Sequence, residues 1–383
     1  MNPIRRSALL ALAAFALSGL AAGCGGSTSG STGSMSVHLV DAPGDYLHVS
    51  LDVQTIEIQS GTSGWIVLGH PNKVIDLLAL VNGLSEELAN GASLPAGHYD
   101  QMRLVLGTDN TVTLSDGSVV ALKVPSGSQS GLKFPVSFDV AAGTTKDVFI
   151  DFDAHKSIFV HEAGRSGKYL LRPVVRAVDR VVTGSISGLV TDATTHAPLA
   201  GAVVTAQQLD TTGTPVVVRT ALTQADGSFQ LDLLPVNASY YVVTQPVVGG
   251  TSYEAKASGP QALTAAAPLP TVNLACAAVS ATGSITGAVT PAAGDADADA
   301  IVVRQRLDAG TLDVHPFVVR VTLPTEASGV ETYTVDALPP ATYGLVLERR
   351  TVASDGTETT AATASVDAAV LAGAPITLNF TAP

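Results

Sequence analysis

Cysteine is almost absent from this chain: 383 residues contain 2. A disulfide framework, the usual support of small secreted domains, is therefore excluded. Charge is also sparse, at 14% of residues against 46% hydrophobic, which excludes a disordered polyelectrolyte. Lys and Arg number 20 against 33 Asp and Glu, a net charge of −13, with no basic cluster to neutralise phosphates. Nucleic acid is accordingly excluded as a partner. Aromatic residues make up only 5%, so the cores must be built from Val, Leu, Ile and Ala. No Walker loop, dinucleotide Gly fingerprint or Gly-x-Ser-x-Gly elbow occurs. His161-Glu162 lacks the second His of a zincin motif, and Cys276 sits in the apolar run Leu274–Val279 with no His beside it. Beyond the N-terminus no apolar stretch reaches the ~18 residues that mark a spanning helix. What is plentiful is Gly (36) and Pro (21), the residues of turns. The length exceeds one domain of about 100–200 residues. A multi-domain, β-rich, acidic protein remains.

The N-terminus reads as an address. Arg5 and Arg6 precede the apolar run Ala8–Leu17 and then small residues, the pattern of a secretory signal peptide. The segment ends Leu20-Ala21-Ala22-Gly23-Cys24, which resembles the lipobox of bacterial lipoproteins. The resemblance implies cleavage after residue 23 and acylation of Cys24, with Gly25 in place of Asp favouring the outer membrane. Two or more acyl chains suffice for stable anchoring, where one does not. Residues 24–34 are read as a Gly/Ser tether, spanning about 17 Å root-mean-square over its ten flexible residues. With Cys24 acylated, Cys276 has no partner and is expected to be a buried, inert thiol.

Three β-rich modules follow. In the first, residues 35–182, Ser36–Val40 alternates with period two, and Val49–Ile58 does so with a break at Val53–Ile56 that predicts a bulge. Asp116-Gly117 predicts a hairpin between Thr111–Leu114 and Val119–Val124. Ser85–Ala89 predicts a short helix with Ser85 as N-cap and Gly91 as stop. The ordered blocks Val40-Asp41-Ala42-Pro43-Gly44-Asp45, Trp65, Ile75-Asp76-Leu77-Leu78, Leu94–Tyr99, Pro125–Lys133, Asp151–Ile158 and Leu171–Val175 resemble bacterial domain of unknown function 4382. That resemblance implies a β-sandwich typical of secreted lipoproteins, and no reaction. In the second module, residues 184–279, Gly184–Asp192, Ala197–Val204, Ala225–Leu231 with an Asp226-Gly227 hairpin, and Leu233-Leu234-Pro235 resemble the carboxypeptidase regulatory-like domain. A transthyretin-like seven-stranded sandwich is implied. In the third, residues 282–383, Gly283–Thr290 echoes Gly184–Thr191 and Leu338–Tyr343 echoes the Leu-Pro block, which reads as a divergent second copy. The fold expected is all-β, a tandem array of immunoglobulin/transthyretin-like sandwiches.

Three acidic constellations are candidates for chemistry. Asp151, Asp153 and His155 sit at i, i+2 and i+4 of a predicted strand and so share one face, where they could hold a divalent cation. The plainer reading is the solvent face of an alternating strand. Asp295, Asp297 and Asp299 mimic the opening of an EF-hand loop, but Ala300 and Arg306 stand where Gly and Glu are required, leaving a solvated acidic loop. Asp41 and Asp45 flank Pro43-Gly44 as a cation-binding turn or, more simply, as turn-capping carboxylates. The expected function is a non-catalytic, lipid-anchored protein of the bacterial cell envelope. It would use no cofactor, and its partner would be a carbohydrate or an envelope protein. The alternatives are an envelope hydrolase pairing Asp151 or Asp153 with Asp41 or Asp45, and a calcium-stabilised stalk.

Overall fold

A computed structural model describes residues 31–42, 46–61, 64–80, 84–114, 116–124, 130–153, 158–161, 168–171, 175–179, 183–264, 269–290, 298–310, 314–327, 330–352 and 358–383. The described chain is all-β apart from one 3-10 turn at Leu77–Ala79, and its strands form tandem sandwiches. The signal segment, Cys24, Asp45, His155, Asp295 and Asp297 lie outside the described residues.

In the first module a four-stranded sheet packs on a larger one. The four-stranded sheet runs Val175–Asp179, Thr145–Asp153, Thr32–Ala42, Glu86–Pro95. The larger one is centred on His48–Gln59, flanked by Gly97–Leu106 and Thr111–Thr113, with Leu132–Val140 beyond Gly97–Leu106. Alternation drives this pairing: Val37 and Leu39 point inward beside Val148 and Ile150, and all four are buried in one core with Leu51, Ile56, Met102 and Leu104. The expected bulge is present, as a register shift between Val53 and Thr55 against Leu106 and Val105. The Asp116-Gly117 hairpin is present too, with Gly117 at φ +84° and Leu114 N–H bonded to Ser118 O.

Two expectations are corrected. The tether does not extend to Ser34, because the first strand already begins at Thr32, where Gly33 faces Leu94 and Ser34 faces Thr145. Ser85–Ala89 is not a helix: Glu86–Pro95 is a strand whose Leu88 and Ala89 are buried against the opening strand. Local capping signals yielded to the sheet edge that needed a partner.

The second module packs the sheet Ser228–Pro235, Thr183–Asp192, Thr271–Cys276 on the sheet Pro215–Leu222, Val203–Leu209, Ala238–Thr244, Lys256–Leu263. Asp226-Gly227 forms the expected tight turn, Gly227 at φ +77°, but it is not a hairpin. The strands it joins lie in different sheets, so the turn carries the chain across the sandwich. The third module packs Val330–Leu338, Gly283–Thr290 and Pro375–Thr377 on Val314–Thr322, Ala298–Asp308 and Ala341–Val352.

One plan underlies all three. Each module opens on Thr-Gly-Ser, at residues 32–34, 183–185 and 282–284. Each opening strand lies between an antiparallel neighbour and a parallel late strand. Each carries a Leu-Pro pair followed by a buried Tyr whose hydroxyl donates back to the proline carbonyl. The bonds are Tyr99 to Pro95 at 2.8 Å, Tyr240 to Pro235 at 2.7 Å and Tyr343 to Pro339 at 2.9 Å. The extra residue before Tyr240 is absorbed by Asn237 at φ +61°, a conformation Asn tolerates better than most residues. The second and third modules agree down to single atoms. A Cβ on Gly188 would lie 1.6 Å from Val272 O, and one on Gly287 1.6 Å from Leu378 O. Asn273 Oδ1 accepts from Leu189 N–H as Asn379 Oδ1 accepts from Ala288 N–H.

Candidate functional site

Of the acidic candidates, Asp41 and Asp151 are described with their side chains, and they lie on opposite faces of one sheet. Parallel pairing sets Asp41 opposite Phe152 and Val40 opposite Asp151. Cα partners in a sheet share a face, so Asp41 points to the core side and Asp151 to the outer side. Asp41 is 1% exposed. This pair is thus divided by the sheet and cannot flank a bound substrate. Asp153 ends its strand opposite Ala42, and Asp299 lies in strand Ala298–Asp308 opposite Arg349. Among the described residues no cluster of three or more His, Cys, Asp or Glu could hold a metal ion.

Asp151 has another role. Its carboxylate pairs with the Arg219 guanidinium of the second module, with side chains only 14% and 9% exposed. Strand Pro215–Leu222, which carries Arg219, touches the opening strand of the first module. Around this pair, Val40 and Phe149 are buried on the outer sheet face, outside the first module's core, and His38 stacks on Phe149 at 4.9 Å.

A larger joint links modules two and three. The edge strand Val314–Thr322 docks on the outer face of the sheet containing Val203–Leu209 and Ala238–Thr244. Phe317, fully buried, inserts among Tyr241, Val243, Ala255, Leu307 and Ala309, its ring 4.9 Å from that of Tyr241. The buried Gln207 amide then satisfies both backbone groups of Val318: Nε2 donates to Val318 O at 2.7 Å, and Val318 N–H donates to Oε1 at 3.0 Å. Arg320 donates to Gln245 O at 2.6 Å, and Gln245 Nε2 donates to the Tyr343 hydroxyl at 3.2 Å. Burial pushes the Tyr343 hydroxyl up to about 12, so it stays protonated and keeps donating to Pro339.

Arg219 and Arg320 occupy one structural position. Each faces the residue just before a bulge, Ala206 and Val303 respectively, and each reaches back to the preceding module. Nothing in the sequence marks these residues as connectors, because their partners lie 68 and 75 positions away (219 − 151 and 320 − 245).

Other singled-out residues are structural. Cys276 is fully buried, and burial raises its thiol to about 12. Trp65, the only Trp, lies 4.3 Å from the Arg103 guanidinium, which is itself bonded to the buried Glu57 at 2.6 and 2.9 Å.

Comparison with known families matches two stretches of the chain. Residues 32–173 match the domain of unknown function DUF4382, and residues 185–275 match the carboxypeptidase regulatory-like domain. The chain therefore carries a DUF4382 domain followed by a carboxypeptidase regulatory-like domain. The comparison with curated proteins found no match. Among solved structures, it is similar to the Bacillus anthracis TIE protein at 14% identity and a TM-score of 0.20, covering 91% of this chain and 50% of that one. It is similar to a streptococcal ancillary pilin at 10% identity and a TM-score of 0.21, covering 91% and 99%. The major pilin subunit of Bacillus cereus gives 9% identity and a TM-score of 0.17, covering 91% and 99%. The chain spans half the length of the first of these.

Proposed function

We propose that this protein is a non-catalytic, lipid-anchored component of the bacterial envelope, probing its surroundings from a frame of three sandwiches. Residues 282–383 form, on this reading, a divergent second carboxypeptidase regulatory-like domain. The paired features at Gly188 and Gly287, and at Asn273 and Asn379, support the duplication. The observation that carries the functional reading is where the polar residues are used. Asp151, Arg219, Gln207, Gln245 and Arg320 fasten modules to each other rather than converge on a cleft. Sandwiches joined in this way present the loops at their ends on a supporting frame, the arrangement of a binding or spacer module. A carbohydrate or a protein of the envelope is the partner class, and Cys24 is the lipidation site on the outer membrane.

Intact mass of the protein from its own membranes tests the anchor. Cleavage before Cys24 with added acyl chains, both lost in Cys24→Ala, is the expected result; an uncut, unacylated chain overturns it. Assay of the purified protein on chromogenic glycosides and esters tests the non-catalytic half. Turnover abolished by Asp151→Asn would restore the hydrolase.

A further inference from the structure

We infer that the protein bends at one joint only, between the first module and the paired second and third, and that the Asp151–Arg219 ion pair is the latch holding that joint closed. The two joints differ in kind. Opening the second–third joint would expose Phe317, Tyr241 and Val243 to water and release both Val318 backbone groups from Gln207. Apolar surface has nothing to gain from water, so this joint resists opening. Across the first joint, where Pro215–Leu222 touches the opening strand and Ile158–His161 touches Thr325–Ala327, the described bond is between two charges. Opening it returns a carboxylate and a guanidinium to water, which offsets much of the lost attraction, and it uncovers fewer large apolar side chains, Val40 and Phe149, than the Phe317 cluster of the other joint. The latch therefore holds position without forbidding release.

What lies beneath the latch makes release consequential. His38, Val40 and Phe149 face outward on the first module's sheet, away from the core side occupied by Val37, Leu39, Val148 and Ile150. Val40 and Phe149 are nonetheless 3% and 7% exposed. Strand Pro215–Leu222 lies against this sheet beside Arg219. A released second module uncovers the stacked His38–Phe149 pair and Val40, and closure hides them again.

The test is a distance measurement by pulsed electron resonance on the full chain. Spin labels go on Thr108→Cys in the first module and Thr360→Cys in the third, both exposed sites, with Cys24→Ala. Buried Cys276 stays unlabelled. The unaltered pair should give one narrow distance. Arg219→Glu, which sets two carboxylates together, should broaden it severalfold, and Arg219→Glu with Asp151→Arg should restore it. A control pair, Thr211→Cys with Thr360→Cys, should stay narrow in all variants. A distance that stays narrow in Arg219→Glu, or one that the charge swap fails to restore, overturns the latch. Broadening of the control pair overturns the single joint.

Discussion

Replacing Gln207 by Leu tests whether modules two and three are one physical unit. Gln207 is fully buried, and its amide is the partner of both the N–H and the C=O of Val318, 111 residues away. Leu has nearly the same volume but no polar atoms, so packing is kept while two buried backbone groups lose their bonds. Each buried group left unsatisfied costs about 1–3 kcal/mol, which gives about 2–6 kcal/mol for the pair. An upper limit exists, because Val314–Thr322 is an edge strand. If the loss exceeds what holds the joint, the strand lifts off and water satisfies Val318. Urea unfolding followed by circular dichroism gives the stability loss, and amide exchange at Val318 reports the local event. The expected result is a loss of about 2 kcal/mol or more, with Val318 exchange accelerated by a larger factor than exchange in the first module. A loss below about 0.5 kcal/mol, ordinary for a surface substitution, with Val318 still protected would refute the reasoning.

Gly188→Ala and Gly287→Ala should each destabilise by about 1–3 kcal/mol or more, since the new methyl collides with a backbone carbonyl in both modules; thermal melts with unequal effects would argue against equivalent positions. Cys276 should resist iodoacetamide in the native state and react fully once unfolded, because its thiol is buried and raised to about 12; mass spectrometry reads this directly. Hydrogen bonds hold the carboxyls of Asp116, Asp192, Asp210 and Asp226 below the usual range: chiefly from the Ser118, Thr212 and Ser228 side chains for three of them, and from the Thr195 and Thr194 backbone for Asp192. Their stabilisation is present above the unfolded carboxylate value of about 3.9 and is lost as pH falls through the lower folded values. Melting temperature should thus decline in acid, and replacing all four by Asn should flatten that decline.

Strands were legible where burial of one face imprints a regular period of two. Ser36–Val40 and Val49–Ile58 carry that imprint, as does the bulge within the second. Turns were legible through Asp-Gly pairs, but pairing across a turn was not. Asp226-Gly227 specifies how the chain reverses and leaves open which sheet it enters. The strand Glu86–Pro95 was misread because Ser, Glu and Glu are helix-start residues, and only the distant partner Thr32–Ala42 decides otherwise. Asp151 stood out in the sequence as one of a possible cation-holding set, with the solvent face of a strand as the plainer reading, and neither reading pointed to a partner in another module. Its partner was not recognisable. Arg219 lies in the run Pro215–Thr220, which looks like any amphipathic strand, and an ion pair between modules leaves no local pattern. The same holds for Gln207 and Phe317, whose meaning depends on a neighbour 111 positions away or on a shared core.

The matched arginines bear on how such a chain can lengthen. Arg219 and Arg320 project from the same rung of equivalent strands, yet they grip unlike surfaces: a carboxylate in one case, a main-chain carbonyl in the other. A gene segment copied whole would bring its own grappling hook along with its sandwich. The newcomer would need no matching socket prepared in advance, because almost any oxygen-bearing surface accepts a guanidinium. Later substitutions, such as an aromatic ring at Phe317 or an amide at Gln207, could then tighten one attachment and leave the other loose.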